Sequence, residues 1–586
     1  MAKDKISEKD QKKAVEIVSE RFNIANNFQQ RIFNDFSTYY EYYRGYRAKP
    51  GGDVWKANIF IPYIKQIVDT ILPRLVSSKP KPDVLPREQG DIKDAAIMNK
   101  LISYQWEHMK MYEVIKEWVK LALIYGVGVV KIGWDFDKSM DKDSPWVSAV
   151  SPYDYFRDPQ FGKWEIYKQE RDLEDVKANK NYINTDKLEN DISSDNDPWK
   201  TKELAAVART QTAATLSQKE GASGAPKTKS NRNKVVIHEY YGKFALDGDE
   251  QEKDWFIVIA DGRTLLRMTP LEEVYPGGSP FVAFHDDIMP LDFWSIGEVE
   301  PLTDMQDELN TLRRQRLDNR NLIINHMWAV DTNSVVDWDN FVSKPGGIVE
   351  YQGTPPTPLP VNDTTGASVQ EEAIIKQDMD RTSGVFAGML GQTQAAVGSG
   401  SDINTTARGF IASLEQAGTK MQYKLDNLDD SLRELGQKLL KMNAKYVTKD
   451  QIVRIVGDQA VEFEKIPADA VKKEYDFSVE GSSTQPQNRE IRKVQSRAML
   501  ESVTPYANQP LFKYDPETGQ PPQPVTLNME YFLDNTFKEN ELPNQEKIFI
   551  PSPEQLEPPT AQPQEQQPNV ETNQFAGQPT GAEQVL

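Results

Sequence analysis

The side chains of this sequence that could do chemistry are its acids and its four histidines, since it contains no cysteine. A zinc centre or a histidine-activated nucleophile needs several such groups at close spacing. The histidines lie far apart, and none falls in a zinc-protease motif or beside a serine elbow. They are His108, His238, His285 and His326. We therefore expect ordinary structural or surface roles for all four.

Two acids beside a histidine form a further candidate centre. In "FHDDIMP", residues 284–290, Asp286 and Asp287 directly follow His285. Paired carboxylates can hold the Mg²⁺ ion of a nuclease. Adjacent acids in a loop are more often simply solvated, so a metal-dependent nuclease is kept only as a distant alternative.

One segment partly matches a phosphate-binding loop and another partly matches a calcium-binding loop, but each lacks required residues. "GASGAPKT", from Gly221 to Thr228, has Pro226 where a phosphate loop requires its second glycine. "DFDKSMDKD", residues 135–143, has Met140 where a calcium loop requires glycine, and the final glutamate of such a loop is missing. The sequence therefore predicts no enzyme activity, no cofactor and no metal.

The overall charge excludes further classes of protein. The formal net charge is −20 and the pI is about 4.9, so the chain is unlike a conventional basic DNA-binding protein. The most apolar run, "LALIYGVGVV", is about half the roughly 20 residues that a membrane helix needs. The first residues are charged and lack an apolar core. We therefore expect no membrane segment and no secretory signal.

A long helix crowded with charge is predicted at residues 299–325, in the middle of the chain. Pro301 suits its first turn, and Glu298 and Glu300 lie near its positive end. One apolar stripe follows the helical repeat and consists of Leu302, Met305, Leu309 and Leu312. The charged residues on its other faces include Asp304, Asp307, Glu308, Arg313, Arg314, Arg316 and Arg320. Such charges can pair between neighbouring subunits, or simply within an exposed helix.

The clearest periodicity predicts a second long helix at residues 404–446. Its apolar residues recur at alternating spacings of four and three, which indicates one continuous seam on one helix face. The seam consists of Met421, Leu425, Leu428, Leu432, Leu435, Leu439 and Met442. A seam of this kind also fits a cytosolic coiled-coil scaffold, which is the strongest alternative function.

The order of segments is more specific than any one motif. "WKANIFIPYIKQIVDTILPRL" is followed by "YGVGVVKIGW", "VSPYDYFRDP" and strand pairs ending in "DGRTLLR". The charged helix with Gln306 and Asn310 comes next, then a compact β unit, a second helix, a glycine-rich loop and the seam helix, which opens with "TTARG". Over about residues 33–500 this order resembles the portal proteins, or head-tail connectors, of tailed bacteriophages.

The resemblance implies an α+β, portal-type fold with a mixed wing domain, an α-helical stem, a small β-containing clip and a C-terminal helical crown. Arg408 departs from the small-residue "TATG" form of related portals, which leaves the first residue of the seam helix open by a few positions. The implied parts are residues 1–298 as the N-terminal part of the wing, with a polar insertion at about 179–233; 299–325 as the first stem helix; 326–367 as the clip; 368–383 as the second stem helix; 384–403 as the tunnel loop; 404–484 as the long wing helix and C-terminal wing strands; 485–550 as the crown; and 551–586 as a disordered Pro/Gln-rich tail.

The resemblance also implies a site that faces DNA without doing chemistry. Portal proteins form a dodecameric ring at one capsid vertex, and their tunnel loops project toward the DNA. Here the corresponding residues are Gly384, Gly388, Gly391, Gln392, Thr393, Gln394, Gly398 and Gly400. A strongly acidic chain neutralises few phosphates and so holds DNA weakly. That property suits a channel for genome packaging and ejection, through which DNA must move.

The implied partners are those of a portal ring. They are further copies of the same chain in a dodecameric ring, double-stranded DNA in the channel, the major capsid protein, the terminase large subunit and head-tail adaptor proteins, with no membrane. The implied location is the capsid vertex of the virion, and the host cytoplasm during assembly. The stem stripe and charges would lie between subunits, and the seam residues would belong to the wing.

Overall fold

A computed structural model gives the fold of the chain, and it is of the predicted mixed α+β class. It divides into two compact units, residues 1–486 and 487–586. The structure describes residues 7–45, 55–76, 80–88, 91–136, 144–188, 234–245, 252–325, 327–339, 341, 348–363, 365–385, 407–447, 451–456, 461–480, 511–513 and 523–525.

The helices are numbered in chain order. They are α1 Glu8–Arg44, α2 Tyr63–Val76, α3 Ile92–His108, α4 Met111–Tyr125, α5 Leu173–Ala178, α6 Leu271–Val274, α7 Thr303–Ile324, α8 Thr365–Ser383, α9 Ala407–Tyr446 and α10 Ala468–Val471. The helix α1 begins where the Ser7 side chain accepts a hydrogen bond from the Asp10 amide, at 3.2 Å. A 3₁₀ turn, Glu300–Leu302, leads directly into α7.

The strands of the first unit form several antiparallel sheets. They are β1 Lys81–Pro86, β2 Val127–Asp135, β3 Ser144–Val150, β4 Tyr155–Arg157, β5 Trp164–Asp172, β6 Lys234–Phe244, β7 Lys253–Ala260, β8 Thr264–Pro270, β9 Phe281–His285, β10 Trp328–Ala329, β11 Val335–Val336, β12 Tyr351–Gln352, β13 Thr357–Pro358, β14 Gln451–Val456, β15 Val461–Ile466 and β16 Tyr475–Glu480. One sheet has the order β3-β2-β9 and another the order β4-β5-β6-β7-β8. The remaining pairs are β1 with β16, β10 with β13, β11 with β12, and β14 with β15.

The hairpin between β7 and β8 was predicted from its turn sequence and is confirmed. The strands are joined through "ADGR", in which Asp261 has φ 48° and Gly262 has φ 66°. Two successive left-handed residues give the tight turn that matches the twist of paired strands. Asp261 also accepts a hydrogen bond from the Val236 amide, at 3.0 Å, which ties the turn to β6.

The main core lies between helices α2, α3, α4 and α9 and the sheet that contains β2 and β9. Every residue of the predicted seam is buried there, from Met421 to Met442. The helix α9 ends at Tyr446, as predicted, and packs on β9 and β16. The predicted start of this helix, residues 404–406, lies outside the described residues. Because the chain covers its own seam, α9 has no apolar stripe left there for a coiled-coil partner.

The five-stranded sheet is covered on one side by the first half of α1. Val18 and Phe22 of that helix pack with Ile166, Tyr240 and Ile257 of the sheet. The alternation of buried residues along β5 explains this arrangement, since successive side chains of a strand point to opposite faces.

The last unit is described only at two short strands, β17 Leu511–Lys513 and β18 Gln523–Val525, which pair antiparallel. This strand pair was not predicted from the sequence. The predicted crown helix near residues 488–503, the tail at 551–586 and most of the insertion at 179–233 lie outside the described residues. None of the helices within the described ranges combines the length and the apolar character that crossing a membrane requires.

Candidate functional site

The charged helix α7 is held by a segment that precedes it by some 240 residues in the chain. Residues 55–62, here called the strap, lie along α7 and lead into α2; contacts of alternate residues with α7, at Ala57, Ile59 and Ile61, indicate an extended course there. Four polar side chains of α7 bond to the backbone of the strap and of the first turn of α2: Gln306, Asn310, Arg314 and Asp318. We call this set the polar ladder.

The contacts of the polar ladder run in regular order. The Asp318 carboxylate accepts from the Ala57 amide at 2.6 Å, and Arg314 Nε donates to the Ile59 carbonyl at 3.0 Å. The Asn310 side-chain oxygen accepts from the Ile61 amide at 2.9 Å. Gln306 donates to the Ile61 carbonyl at 2.7 Å and accepts from the amides of Tyr63 and Ile64, at 3.1 and 3.2 Å.

The spacing of the two elements explains the regularity. Four residues of an α-helix rise about 6 Å, and two residues of an extended chain rise about 6.6 Å. Every fourth residue of α7 therefore meets every second residue of an extended strap that runs in the opposite direction. The backbone amides and carbonyls inside a helix already bond to each other. Only the side chains of α7 are therefore available to form hydrogen bonds with the backbone of the strap.

A second face of α7 packs on the protein core. Leu302 and Leu309 of the predicted stripe are completely buried, and Met305 and Leu312 are partly buried against the same core. The chain itself thus covers much of the stripe that was expected to meet neighbouring subunits. Any contact of these residues across subunits stays a prediction.

The charged residues predicted on α7 have different surroundings. Arg316 and Arg313 both reach the Glu372 carboxylate on α8, the latter at 3.7 Å. Arg314 belongs to the polar ladder. Asp304, Glu308 and Arg320 are exposed, and Asp307 is half-buried. Arg313 and Arg316 therefore pair within one chain, while the exposed charges keep their predicted availability for neighbours.

The helix α8 runs alongside α7 in the opposite direction. Near one end Asn319 Nδ2 donates to the Asn362 carbonyl at 3.0 Å, and further along Arg316 meets Glu372. Lys376 also pairs with Glu372, at 2.8 Å. Burial tends to raise the pKa of Glu372, but Lys376 and Arg316 outweigh burial and hold that pKa below its ordinary value.

Tyr63, the first residue of α2 after the strap, also binds the far end of α8. The Tyr63 hydroxyl donates to the Asp380 carboxylate at 2.8 Å. Burial raises the pKa of Asp380 to about 6, although the hydrogen bond from Tyr63 opposes the rise. The same residue, Tyr63, therefore contacts α7 through its amide and α8 through its hydroxyl.

The segment that leads into α7 is clamped beneath the end of α4. The Glu298 amide donates to the Leu123 carbonyl at 2.8 Å. Gly126, with φ 86°, approaches Ser295 so closely that an added Cβ would lie 1.7 Å from the Ser295 carbonyl oxygen. Only glycine fits at this crossing, because both the backbone conformation and the space exclude a side chain.

A buried ion cluster joins this segment to α9. Lys424 of α9 pairs with Asp286 and, at 2.8 Å, with Glu298. Burial raises the pKa of Asp286, and the nearby Lys424 opposes that rise. Burial by itself lowers the pKa of Lys424, but the two carboxylates reverse this and hold it above its ordinary value.

This cluster argues against the nuclease alternative. Asp286 is bonded to Lys424 and is buried, whereas Asp287 is exposed and pairs with Ile296 through its backbone. The neighbouring His285 is engaged by Ser295, with Nδ1 and Oγ 2.9 Å apart. Among the residues that the structure describes, no group of three or more acids, histidines or cysteines is placed to hold a metal.

A small β unit lies between α7 and α8 in the chain. The strand β10 pairs with β13, and β11 pairs with β12. Several large apolar side chains of this unit are at least two-fifths exposed: Met327, Trp328, Val335, Trp338, Ile348, Tyr351 and Leu359. The unit thus presents an apolar surface at the end of the helix pair.

The predicted tunnel-loop residues are placed only at their beginning. Gly384 follows α8 with φ 74° and lies against Lys420 of α9, whose ammonium donates to the Thr382 carbonyl at 2.8 Å. The next residue, Val385, is buried. The predicted residues Gly388, Gly391, Gln392, Thr393, Gln394, Gly398 and Gly400 lie outside the described residues.

Several site residues were not predicted from the sequence. Glu372, Asp380 and Lys424 carry no local pattern that distinguishes them from surface charges. The polar ladder did carry a signal, since polar residues recur at every fourth position of α7. That signal becomes interpretable only once an extended partner is known to lie beside the helix.

A comparison with protein families identifies the chain. The family model described as Phage SU10 portal protein matches residues 15–147 and 164–578, which is nearly the whole sequence. The chain therefore belongs to the SU10 phage portal protein family of non-enzymatic virion proteins, which assemble as an oligomeric ring around a DNA channel at a capsid vertex and serve genome packaging and ejection.

Proposed function

We propose that α7 and α8 are the two stem helices of this portal, with the β unit of residues 326–364 as its clip, because α8 begins at Thr365, three residues before the predicted boundary. The observation that supports this division is an antiparallel helix pair with a small β unit at one end, as the contacts of Asn319 with Asn362 and of Arg316 with Glu372 indicate. Residues 1–298 and 404–484 then form the wing, 384–403 the tunnel loop and 485–550 the crown.

The ring is proposed to contain twelve copies of the chain. Twelve chains of 66.7 kDa give an assembly of about 800 kDa. Mass photometry and negative-stain microscopy of the purified protein test this number. A particle of about that mass with a central hole is expected. A ring of another mass would overturn the stoichiometry, and a two- to four-chain rod would favour the scaffold alternative.

The clip is proposed as the docking platform for the terminase large subunit during packaging and later for head-tail adaptors. Its exposed apolar side chains support this role, since exposed apolar patches commonly mark protein interaction sites. Trp338 is 60% and Ile348 is 82% exposed, so polar replacements there cost little packing within the chain. The wing would meet the major capsid protein.

Substitution of Trp338 and Ile348 by serine tests the clip assignment. We expect folded rings that bind purified terminase large subunit at least about tenfold more weakly. Phe161→Ser is the matched control, because Phe161 is 75% exposed in the proposed wing. Unchanged terminase binding by the clip variant, with rings intact, would show that the motor docks elsewhere.

The tunnel loop is proposed to touch DNA without fixing it. Its five glycines between 384 and 400 and its uncharged amides and hydroxyls support contacts that neutralise no phosphates. Replacing Gly388 and Gly391 by valine should impair packaging or retention of DNA while rings still form. Normal DNA content in heads carrying this variant would contradict the assignment.

A further inference from the structure

The strap makes an unusual set of contacts for a chain segment beside a helix. Two of its amides, those of Ala57 and Ile61, donate to side chains of α7 rather than to another backbone. The carbonyls of Ile59 and Ile61 accept from α7 side chains in the same way. The polar ladder thus recognises the backbone of the strap.

We propose that the polar ladder fixes the axial position of α7, with Gln306, Asn310, Arg314 and Asp318 as positioning residues for the first stem helix. This inference rests on the proposed assignment of α7 to the stem. Movement of α7 along its axis by less than one turn would break all the rungs together, because each rung faces one particular backbone group of the strap.

The strap is suited to carry load because its far end is anchored in the core. It leads into α2, where Ile64, Ile67, Val68 and Ile71 are completely buried. Tyr63, at this junction, binds Gln306 through its amide and Asp380 through its hydroxyl. Both proposed stem helices are therefore tied to one anchored point, and DNA moving through the channel would pull against that point.

The bonds of the polar ladder do not depend on which side chains the strap carries, because they are made to its backbone. Trp55 and Ile59 of the strap are 49% and 38% exposed, whereas Phe60 and Ile61 are partly buried against the main core. The positioning function therefore belongs to the polar side chains of α7 and to the strap backbone groups that they bind.

Hydrogen exchange of the strap tests whether the ladder is formed. In Asn310→Leu and Asp318→Leu, exchange of a peptide spanning residues 57–64 should accelerate at least about tenfold. Asn310→Asp and Asp318→Asn keep the accepting oxygen and should restore most of the protection. Glu308→Gln, at an exposed position of α7, is the control. Equal exchange in the leucine and the oxygen-retaining variants would overturn the ladder.

The axial position of α7 is tested by distance measurement between spin labels. The chain has no cysteine, so labels can be placed at Gln315→Cys on α7 and Lys93→Cys on α3, both exposed. Labelled chains are diluted into rings of unlabelled chains. We expect a broader or shifted distance distribution in Asn310→Leu/Asp318→Leu and recovery in Asn310→Asp/Asp318→Asn. A distribution unchanged by the leucine variants would overturn the positioning role.

The functional readout is the DNA content of heads assembled with each variant. We expect the leucine variants to form rings of normal mass that bind terminase but fill heads poorly, with rescue by the oxygen-retaining variants. Full heads from the leucine variants would overturn the link to DNA movement. Because ring mass and terminase binding report on the stem and clip assignment separately, failure of that assignment is distinguishable from failure of the ladder.

Discussion

Tyr63 and Asp380 lie 317 positions apart in the sequence, yet the phenol of one donates a 2.8 Å hydrogen bond to the carboxylate of the other. The contact joins the first turn of α2 to the last turn of α8. Burial raises the pKa of Asp380 to about 6, so the charge of this contact changes within a pH range in which the protein can be handled. Lys376 is the nearby cation that acts on Asp380.

Asp380→Asn should alter the pH dependence of stability. The folded chain holds the Asp380 proton up to about pH 6, whereas an ordinary aspartate releases it near pH 3.8. The stabilising contribution of that proton is full below pH 3.8 and is lost as the pH rises through about 6. Because Asp380 is partly exposed, solvent screens its charge, and the expected effect on the unfolding free energy is ~1 kcal/mol.

Denaturant unfolding between pH 4 and pH 7 measures this effect. The difference in unfolding free energy between wild type and Asp380→Asn should change by about that ~1 kcal/mol over the range, with the variant gaining relative stability as the pH rises. Asp378→Asn, at an exposed position of the same helix, should show no such change. A constant difference between wild type and Asp380→Asn would refute the raised pKa.

Lys424→Met should be severely destabilising, because it leaves the buried carboxylates of Asp286 and Glu298 together without a cation. Removal of one partner from a buried ion pair costs about 3–5 kcal/mol. Asp286→Asn should cost less, since the pair between Lys424 and Glu298 remains. Lys441→Met, at an exposed position of α9, is the control, and equal losses at Lys424 and Lys441 would show that the cluster contributes little.

Gly436→Ala should loosen the contact of α9 with β16. A Cβ added there would lie 2.1 Å from the ring of Phe477, so we expect a loss of about 1–3 kcal/mol. Gly366→Ala in α8 is the matched control, because a Cβ at that position meets nothing within 4 Å and should stabilise the helix by up to ~0.5 kcal/mol. Thermal unfolding of both variants measures the difference, and similar midpoints would contradict it.

Leu291 offers a test of backbone strain that is free of packing effects. It has φ 67°, a left-handed conformation that costs a residue other than glycine roughly 1–2 kcal/mol, and it is fully exposed. Leu291→Asn should therefore stabilise the chain, because asparagine tolerates this conformation better. Leu291→Val should destabilise it, because the branched side chain crowds the backbone further. Unfolding midpoints that shift in the same direction would contradict the account.

The spacing of apolar residues in the sequence predicted the two long helices α7 and α9. The alternating spacing between Met421 and Met442 predicted α9 and its buried face, and the stripe from Leu302 predicted α7. Periodicity does not say what covers a face. It therefore left open whether the seam met the core or a second helix. The family resemblance placed the Leu302 stripe against neighbouring subunits; the chain itself buries much of that stripe, and contact across subunits stays a prediction.

Contacts between distant polar residues were beyond sequence reasoning for a physical reason. The sequence around Lys424 and around Asp286 resembles that around ordinary surface charges. Only the packing of α9 on β9 brings the two residues together. The partners Tyr63 and Asp380, or Arg316 and Glu372, likewise depend on how whole helices pack. The family could be identified from the sequence although these contacts could not, because the resemblance rested on the order of many segments.

Because of the polar ladder, the strap should tolerate substitutions of its exposed residues but not insertions or deletions. The bonds of the ladder are made to backbone groups, so exposed strap residues such as Trp55 and Ile59 can be exchanged with little effect on the ladder. A single inserted or deleted residue between Ala57 and Ile61 would instead move later amides to the opposite side and misalign the rungs. Among related portals, the positions of Trp55 and Ile59 should consequently vary in residue type while the stretch keeps its length.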